Sequence, residues 1–146
     1  MKPIFIFLIL MIIAMSSQAE TISKKKLPPC KDTPNCVSSQ ATDKLHYIPP
    51  FKVSGDSALA WQELRKVIQG YDRMTITHET EDTLHAEAIS LVLHFVDDVD
   101  AILDAKAGLI HIRSASRVGH SDFGVNRKRV ETFRTQLRKV HVLVTE

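Results

Sequence analysis

Arginine and serine side chains are concentrated in one stretch of the chain, residues 113–129, with the sequence RSASRVGHSDFGVNRKR. It contains four arginines, one lysine and three serines. Guanidinium groups donate paired hydrogen bonds to carboxylates and phosphates, and serine hydroxyls add further donors. The composition therefore predicts anion binding. The predicted ligand-binding residues are Arg113, Ser114, Ser116, Arg117, Asn126, Arg127 and Arg129.

The acidic side chains are concentrated in the segment just before this one. Residues 79–104 contain eight Asp or Glu and no Lys or Arg, whereas residues 105–144 contain nine Lys or Arg and two acidic residues. Such segregation is also expected if Arg113 and Arg117 form ion pairs that pin the loop to the sheet. The residues of this alternative structural network are Asp97, Asp98 and Asp122. A buried network of this kind must be fully hydrogen-bonded.

Catalysis is a further alternative for the same segment. In a hydrolase or transferase that acts on an anionic substrate, Arg113 and Arg117 would stabilise developing negative charge, and His120 or Asp122 would transfer protons. However, His120, Ser121 and Asp122 are consecutive, and adjacent loop residues do not align as base, nucleophile and orienting acid. The sequence has no GxSxG, HExxH or phosphate-binding glycine motif. A binding domain is therefore favoured over an enzyme.

Metal and cofactor sites are not indicated by the sequence. Four aspartates lie within residues 97–104, but an EF-hand loop needs oxygen ligands at alternate positions and a central glycine. Ile102 and Leu103 occupy the corresponding positions here. We predict no metal and no cofactor, with an open calcium site at Asp97 and Asp98 as the weaker alternative.

Two helices are predicted on either side of a set of strands. An apolar stripe at helical spacing follows Asp56 and Ser57, either of which can cap a helix. A second stripe runs from 130 to 140, and Asn126 is its predicted cap. With Asn126 as the cap, the free backbone N–H groups of residues 127–129 would add to the anion site.

Between the helices, the hydrophobic period changes to two. Residues 74–79 and 84–88 alternate across a turn, which predicts an antiparallel hairpin, and residues 99–104 and 109–114 predict two more strands. Residues 30–50 are rich in turn-forming residues and are predicted to be irregular. The expected fold class is therefore α+β: an antiparallel sheet of about four strands with two helices packed on one face.

The N-terminus predicts export. Lys2 supplies a positive charge, Ile4 to Ala14 is an almost unbroken apolar run, and small residues precede a cleavage point after Ala19. These are the features of a secretory signal peptide. An uncleaved membrane anchor is the alternative, although the run is shorter than the roughly 20 apolar residues of a membrane span. The expected location is the periplasm or the extracellular medium.

The resulting domain organisation is a signal peptide over residues 1–19, a linker over 20–29 and a single domain over 30–146. The linker residues that could contact an anionic membrane surface are Lys24, Lys25 and Lys26. The net charge is +2 for the whole chain and +1 without Lys2, which, together with export, argues against nucleic acid. The predicted partners are an anionic small molecule, a lipid or cell-wall headgroup, or an acidic patch on a protein.

Cys30 and Cys36 are the two cysteines of the chain. Their spacing does not match the CxxC pattern of metal and redox sites, and no second ligand pair accompanies them. In an exported protein they are expected to form a disulfide.

Several stretches of the sequence resemble the family known as domain of unknown function 1499. They are CKDTPNCVSSQ, HYIPPF, FVDDVD and IRSASRVGHSDFGVNRKRVE, and the resemblance covers about residues 30 to 140. Members of that family look like exported envelope proteins of bacteria and chloroplast proteins of plants, so the resemblance implies export. It implies no reaction and no catalytic residues, because the activity of the family is not established.

Overall fold

The computed structural model describes residues 25–145, which form two helices and six strands. In chain order the elements are β1 (Cys36–Ser38), β2 (Phe51–Lys52), α1 (Ser57–Gln69), β3 (Met74–Glu79), β4 (Thr83–Ile89), β5 (Val96–Asp104), β6 (Leu109–Ser116) and α2 (Val125–Lys139). The predicted signal peptide and Lys24 lie outside the described residues. Within the described part, neither helix is long and apolar enough to cross a bilayer.

The six strands form one antiparallel sheet. Its order is β1-β6-β5-β4-β3, and β2 pairs with the half of β6 that β1 leaves free. The two helices pack on one face, so the predicted α+β class is confirmed. The expected count of about four strands was slightly low, because it left out two short strands before α1: β2, and β1 in the segment 30–50 that was predicted to be irregular. This strand has no sequence period, and its pairing with β6, with Cys36 opposite Ala115, holds it in place.

The hydrophobic core lies between the sheet and the two helices. Trp61 and Ile68 of α1 and Phe133 of α2 are buried against the inward-facing leucine and alanines of β4. The ring of Tyr71 meets that of Phe133 edge-on, with their centroids 5.3 Å apart. Burial of each large side chain contributes about 1.5–3 kcal/mol to stability. All members of the core cluster fall between residues 37 and 143, so residues 20–146 contain a complete core.

The two helices begin differently. Asp56 caps α1 as predicted, and its carboxylate accepts the N–H of Ala58 at 2.8 Å. The prediction that Asn126 caps α2 was wrong. The cap residue is Gly124, at a φ of 80° that favours glycine, and Asn126 is fully buried inside the first turn. Asp122 supplies the capping carboxylate, which accepts the N–H of Asn126 at 3.0 Å.

The described part of the predicted linker packs against the domain. Leu27 is buried, and its N–H donates to the side-chain carbonyl of Gln40 at 2.8 Å. Lys25 forms an ion pair with Asp82 in the turn between β3 and β4. Residues 25–29 therefore follow the domain surface.

Candidate functional site

The face of the sheet opposite the helices carries a cluster of ionisable side chains, which we call the charged face. Its members are His85, Glu87, Asp98, Asp100, Arg113 and Arg117. Strand register brings them together: Asp100 of β5 lies opposite His85 of β4 and Arg113 of β6. Directly opposed residues of antiparallel strands share a face, so their side chains meet.

Asp100 connects the two outer strands of this cluster. Its carboxylate lies 2.7 Å from Nδ1 of His85 and accepts Nη1–H of Arg113 at 3.0 Å. The second ring nitrogen of His85, Nε2, lies 3.4 Å from Asp98. The imidazole is thus held between two carboxylates, and each of them also binds a guanidinium, Asp100 that of Arg113 and Asp98 that of Arg117.

Arg117 closes the other side of the charged face. Its Nε–H donates to both carboxylate oxygens of Asp98 at 3.0 Å, and its Nη2–H donates to Asp98 at 2.7 Å and to Glu87. Hydrogen bonds to Asp98 and then to Glu87 raise the pKa of Arg117 above its already high value. Because this side chain is partly exposed, such pairs add little to stability.

A small cavity of about 160 Å³ lies between the disulfide loop and the end of β6. Three cationic side chains line it, from Lys31, Arg113 and Arg117, together with one carboxylate, that of Asp98. The bond between Cys30 and Cys36, predicted from the sequence and confirmed here, closes the loop that carries Lys31. The cavity has room for a group the size of phosphate or carboxylate, and its lining has an excess of positive charge.

Most of the polar side chains of this cavity already have partners within the described chain. Nε of Arg113 is buried without a partner. Lys31 has no side-chain partner among residues 25–145, and the hydroxyl of Ser116 accepts from the side chain of Asn126. Nε of Arg65, Arg129 and Arg138 is likewise buried without a partner, away from this cavity, so an unpaired arginine Nε does not by itself mark a ligand site. Lys31 is the donor of this lining that is available to an acceptor from outside the described chain.

Two larger hollows exist on the described surface, but their chemistry differs. One of about 430 Å³ lies beside residues 25–30 and one of about 740 Å³ beside the turn between β3 and β4. No arginine lines either of them. Their size therefore does not make them better anion sites than the small cavity.

The helix-facing side of the sheet holds a separate, buried polar network. Arg129 donates to Asp97 at 2.7 Å, and its Nη1–H donates to Ser114 at 2.9 Å and to Asn126 at 2.7 Å. Ser114 in turn donates to the side-chain carbonyl of Asn126 at 2.6 Å. These contacts connect α2 to β5 and β6, and they leave no open space for a ligand between their members.

Asp122 anchors the loop between β6 and α2. Its carboxylate accepts hydrogen bonds from the N–H of Gly124 at 2.9 Å and from the backbone and side chain of Asn126 at 3.0 and 2.8 Å. Burial raises the pKa of Asp122, but the bonds from Asn126 and Gly124 outweigh burial and the pKa lies below its ordinary value.

The structure divides the seven predicted ligand-binding residues among three places. The two that reach the cavity from the charged face are Arg113 and Arg117. Ser116, at the end of β6, also lines the cavity. The three in the buried network are Ser114, Asn126 and Arg129. Arg127 lies on the surface, where it donates to the carbonyls of Leu45 and Tyr47 at 3.0 Å.

The acidic residues predicted to form a structural network are also separated. Asp97 faces the helices and pairs with Arg129, whereas Asp98 faces the other side and pairs with Arg117. Consecutive residues of a strand point to opposite faces, so the weaker alternative of a calcium site formed by Asp97 and Asp98 is not supported. His85, Glu87 and Asp98 place one potential ligand atom each within 4.8 Å of one another, but Arg117 already binds both carboxylates.

Comparison with known protein families identifies the family to which the chain belongs. A family model described as "Protein of unknown function (DUF1499)" matches residues 26–137. The chain belongs to the DUF1499 family. In this DUF1499 domain, the match begins just before the disulfide loop and extends through most of α2, so it includes every element of the charged face and the cavity. Comparisons with curated proteins and with solved structures found no match.

Two contributors to the site of this DUF1499 domain, Lys31 and His85, were not predicted from the sequence. Lys31 lies inside the stretch CKDTPNC that carries part of the family resemblance. This position within a family motif was the one sequence feature that could have indicated Lys31 as a site residue. The alternation of residues 84–88 placed His85 on the exposed side of a strand. Its neighbours depend on the register with β5, which alternation does not reveal.

Proposed function

We propose that this protein is an exported binding domain that holds a small anionic group, a phosphate or a carboxylate, in the cavity beside Arg113 and Arg117. The proposal narrows the predicted anion site to the part of the Arg/Ser-rich segment that borders open space. The signal-peptide pattern of residues 1–19 supports export, and the family resemblance agrees with it.

The observation that carries this proposal is the convergence of three cationic side chains on one cavity. Lys31, Arg113 and Arg117 come from two separate parts of the chain and line the same 160 Å³ space. The ammonium group of Lys31 has no side-chain partner among residues 25–145. Guanidinium and ammonium groups bind oxyanions through short, charge-assisted hydrogen bonds. The single carboxylate of the lining, Asp98, is already paired with Arg117.

A binding role is favoured over a hydrolase or transferase. No histidine lines the cavity, and the side chain of His120, a predicted proton donor, lies in an exposed part of the loop. Asp122 is committed to α2 through its bonds with Gly124 and Asn126. General acid–base catalysis needs a group within hydrogen-bond reach of the reacting atom, and these residues do not supply one at the cavity.

The test is a titration of residues 20–146 with inorganic phosphate, glycerol phosphate and citrate, followed by thermal unfolding and by calorimetry. A ligand at 100 times its dissociation constant should stabilise the fold by about 2.7 kcal/mol. Lys31→Ala should weaken binding by about tenfold, the effect of losing one charge-assisted hydrogen bond. This variant should unfold like the wild type, because Lys31 has no side-chain partner in the described chain.

Lys26→Ala is the matched control, since Lys26 is exposed and lies outside this cavity. It should bind like the wild type. Equal affinity of the wild type and Lys31→Ala, or no binding of any of the three anions, would contradict the proposal. Arg117→Ala is the less suitable variant, because it also breaks the pairs with Asp98 and Glu87.

A second candidate is a structural or interaction domain without a ligand. It is favoured by one observation: the buried network of Arg129, Asp97, Ser114 and Asn126 uses most of the polar groups of the Arg/Ser-rich segment to fix α2 on the sheet. In that case the anion titrations give no heat and no shift in melting temperature.

A further inference from the structure

The ring of His46 is buried, and both of its nitrogens face hydrogen-bond acceptors. Nδ1 lies 2.8 Å from the carboxylate of Asp43, and Nε2 lies 2.9 Å from the carbonyl oxygen of Thr33. An ionised carboxylate and a backbone carbonyl supply no hydrogen. Both bonds therefore exist together only when the ring carries a hydrogen on each nitrogen and is positively charged.

Through Thr33, the ring of His46 holds the disulfide loop, residues 30–36, from outside the loop. The N–H of Thr33 donates to the carbonyl of Lys31 at 2.8 Å, so the two residues belong to one tight turn. The side chain of Lys31 lines the anion cavity and has no side-chain partner among residues 25–145. The position of its ammonium group thus depends on the backbone that His46 restrains.

The other half of the disulfide loop is fixed without His46. The buried side chain of Asn35 donates to the carbonyls of Val118 at 3.3 Å and Gly119 at 2.9 Å. The backbone carbonyl of Asn35 accepts the N–H of Ser116 at 2.9 Å. Amide groups do not titrate near neutral pH, so these bonds persist whatever the charge on the ring. A change in that charge should therefore affect residues 31–33 and leave Asn35 in place.

Loss of one proton from the ring breaks one of its two bonds. A neutral imidazole keeps a single N–H, and a carboxylate is a stronger acceptor than a carbonyl. The remaining hydrogen is expected on Nδ1, towards Asp43, which also accepts the backbone N–H of His46 at 3.0 Å. The lone pair of Nε2 then faces the carbonyl oxygen of Thr33, and the two repel each other. The turn at Asp43 is retained and the disulfide loop is released.

The groups around the ring favour its charged form. The carbonyl of Thr33 is the largest cause of a raised pKa of His46, and burial opposes it. The carboxylates of Asp43 and Asp32 add to the increase in this pKa. The cations of the neighbouring segments are Lys31 in the disulfide loop, Lys44 beside Asp43, and Arg127 of α2, which donates to the carbonyls of Leu45 and Tyr47.

We propose that His46 is a positioning residue that makes anion binding in the cavity depend on pH. The protonated ring holds the disulfide loop so that Lys31 reaches the anion, and the neutral ring releases this loop. The inference rests on the proposed function, because it describes the regulation of the same site. Anions should bind more tightly on the acidic side of the His46 titration, and by linkage a bound anion should favour the protonated ring by the same factor.

The test is a calorimetric titration of residues 20–146 with sulfate between about pH 5.5 and 8.5, the range that spans histidine titration. Sulfate is the probe because its charge is constant over this range, unlike that of a phosphate monoester. The affinity of the wild type should fall by about three- to tenfold as the pH rises, up to the whole contribution of one bond from Lys31. His46→Gln should flatten the profile, and His111→Gln, at a partly exposed position of β6, should retain the wild-type slope.

Two further variants separate release of the loop from the electrostatic effect of a charged ring. Lys31→Ala should bind sulfate weakly at every pH, because the residue through which His46 acts is absent. Asp43→Asn should keep tight binding at high pH, since an amide does not require the hydrogen of Nδ1 and the neutral ring can donate from Nε2 to Thr33. The side chain of Asp43 is largely exposed, so this variant should fold like the wild type.

NMR of the ring and of the backbone amides measures the same coupling inside the molecule. The amide signals of residues 31–33 should titrate together with the ring of His46, and those of Val118 and Gly119 should not. Saturating sulfate should raise the midpoint of the ring titration in the wild type. It should leave that midpoint unchanged in Lys31→Ala.

The outcomes distinguish this regulation from the anion site itself. Sulfate affinity that is equal at both ends of the pH range would overturn the role of His46 and leave the anion site standing. Retention of the full slope in Lys31→Ala, or its loss in His85→Gln rather than in His46→Gln, would also overturn it, since His85 lies beside Asp98 of the cavity lining. Absence of sulfate binding at every pH would overturn the anion site and its regulation together.

Discussion

Arg129 and Asp97 form a buried ion pair between α2 and β5, with 2.7 Å between Nη2 and the carboxylate oxygen Oδ2. Both residues are almost inaccessible to solvent. The second terminal nitrogen of Arg129 binds Ser114 and Asn126, so one guanidinium joins a strand pair to the helix. Arg129 is the last residue of the Arg/Ser-rich segment, and its hydrogen bonds connect α2 to the sheet.

Removal of this guanidinium should destabilise the domain strongly. Arg129→Ala is expected to lower the free energy of unfolding by about 3–5 kcal/mol, because it leaves the carboxylate of Asp97 buried without a counter-charge. Urea unfolding at neutral pH measures this change in the free energy of unfolding. Lys128→Ala, at the neighbouring exposed position, should stay within about 0.5 kcal/mol of the wild type. A loss below about 1 kcal/mol for Arg129→Ala would show that the pair is dispensable.

Asp122 should make the fold sensitive to acid. Its pKa is lowered in the folded state, so its contribution is present above the unfolded pKa near 3.8 and is lost as the pH falls through the lower folded pKa. Asp122→Asn should reduce stability at neutral pH. It should also make stability fall less steeply with decreasing pH below about pH 4, the range that we call the acid limb of the stability curve. Urea midpoints at several pH values measure this. Glu81→Gln, an exposed substitution, should keep the wild-type acid limb, and an unchanged limb in Asp122→Asn would refute the assignment.

His46 should give a second, opposite pH dependence. The ring is buried, with Nε2 2.9 Å from the carbonyl of Thr33 and Nδ1 2.8 Å from the carboxylate of Asp43. The carbonyl of Thr33 raises the pKa of His46, burial lowers it and Asp43 raises it, with a net increase above 6.5. Both nitrogens face acceptors, which only the doubly protonated ring satisfies.

The direction in which stability changes with pH follows from the raised pKa of His46. The contribution of His46 is fully present below the unfolded value of about 6.5 and is lost as the pH rises through the higher folded value. The melting temperature of the wild type should therefore fall between about pH 6 and 8, and His46→Gln should show a flatter profile there. His78→Gln, on an exposed strand position, should retain the wild-type slope. A ring titration by NMR with a midpoint below 6.5 would contradict this prediction.

Sequence periodicity determined the elements of this protein. Apolar spacing located both helices and the main strands, Asp56 was an available cap for α1, and the two cysteines had one partner each. These features are local, because a helix stripe, a strand alternation and a cap depend on residues a few positions apart. The cap of α2 was predicted wrongly from local sequence. Asp122 and Asn126 both have side chains that can cap a helix, and the backbone turn at Gly124 determines that the carboxylate of Asp122 does so.

The arrangement of the arginines was decided by the tertiary structure. Strand β6 continues to Ser116, although the predicted strand ended at Ser114 and left the following residues in one loop. Which carboxylate each guanidinium meets depends on the register of β4, β5 and β6, and the approach of Lys31 depends on the pairing of β1 with β6. Register is a relation between distant segments, and no local period of the sequence encodes it.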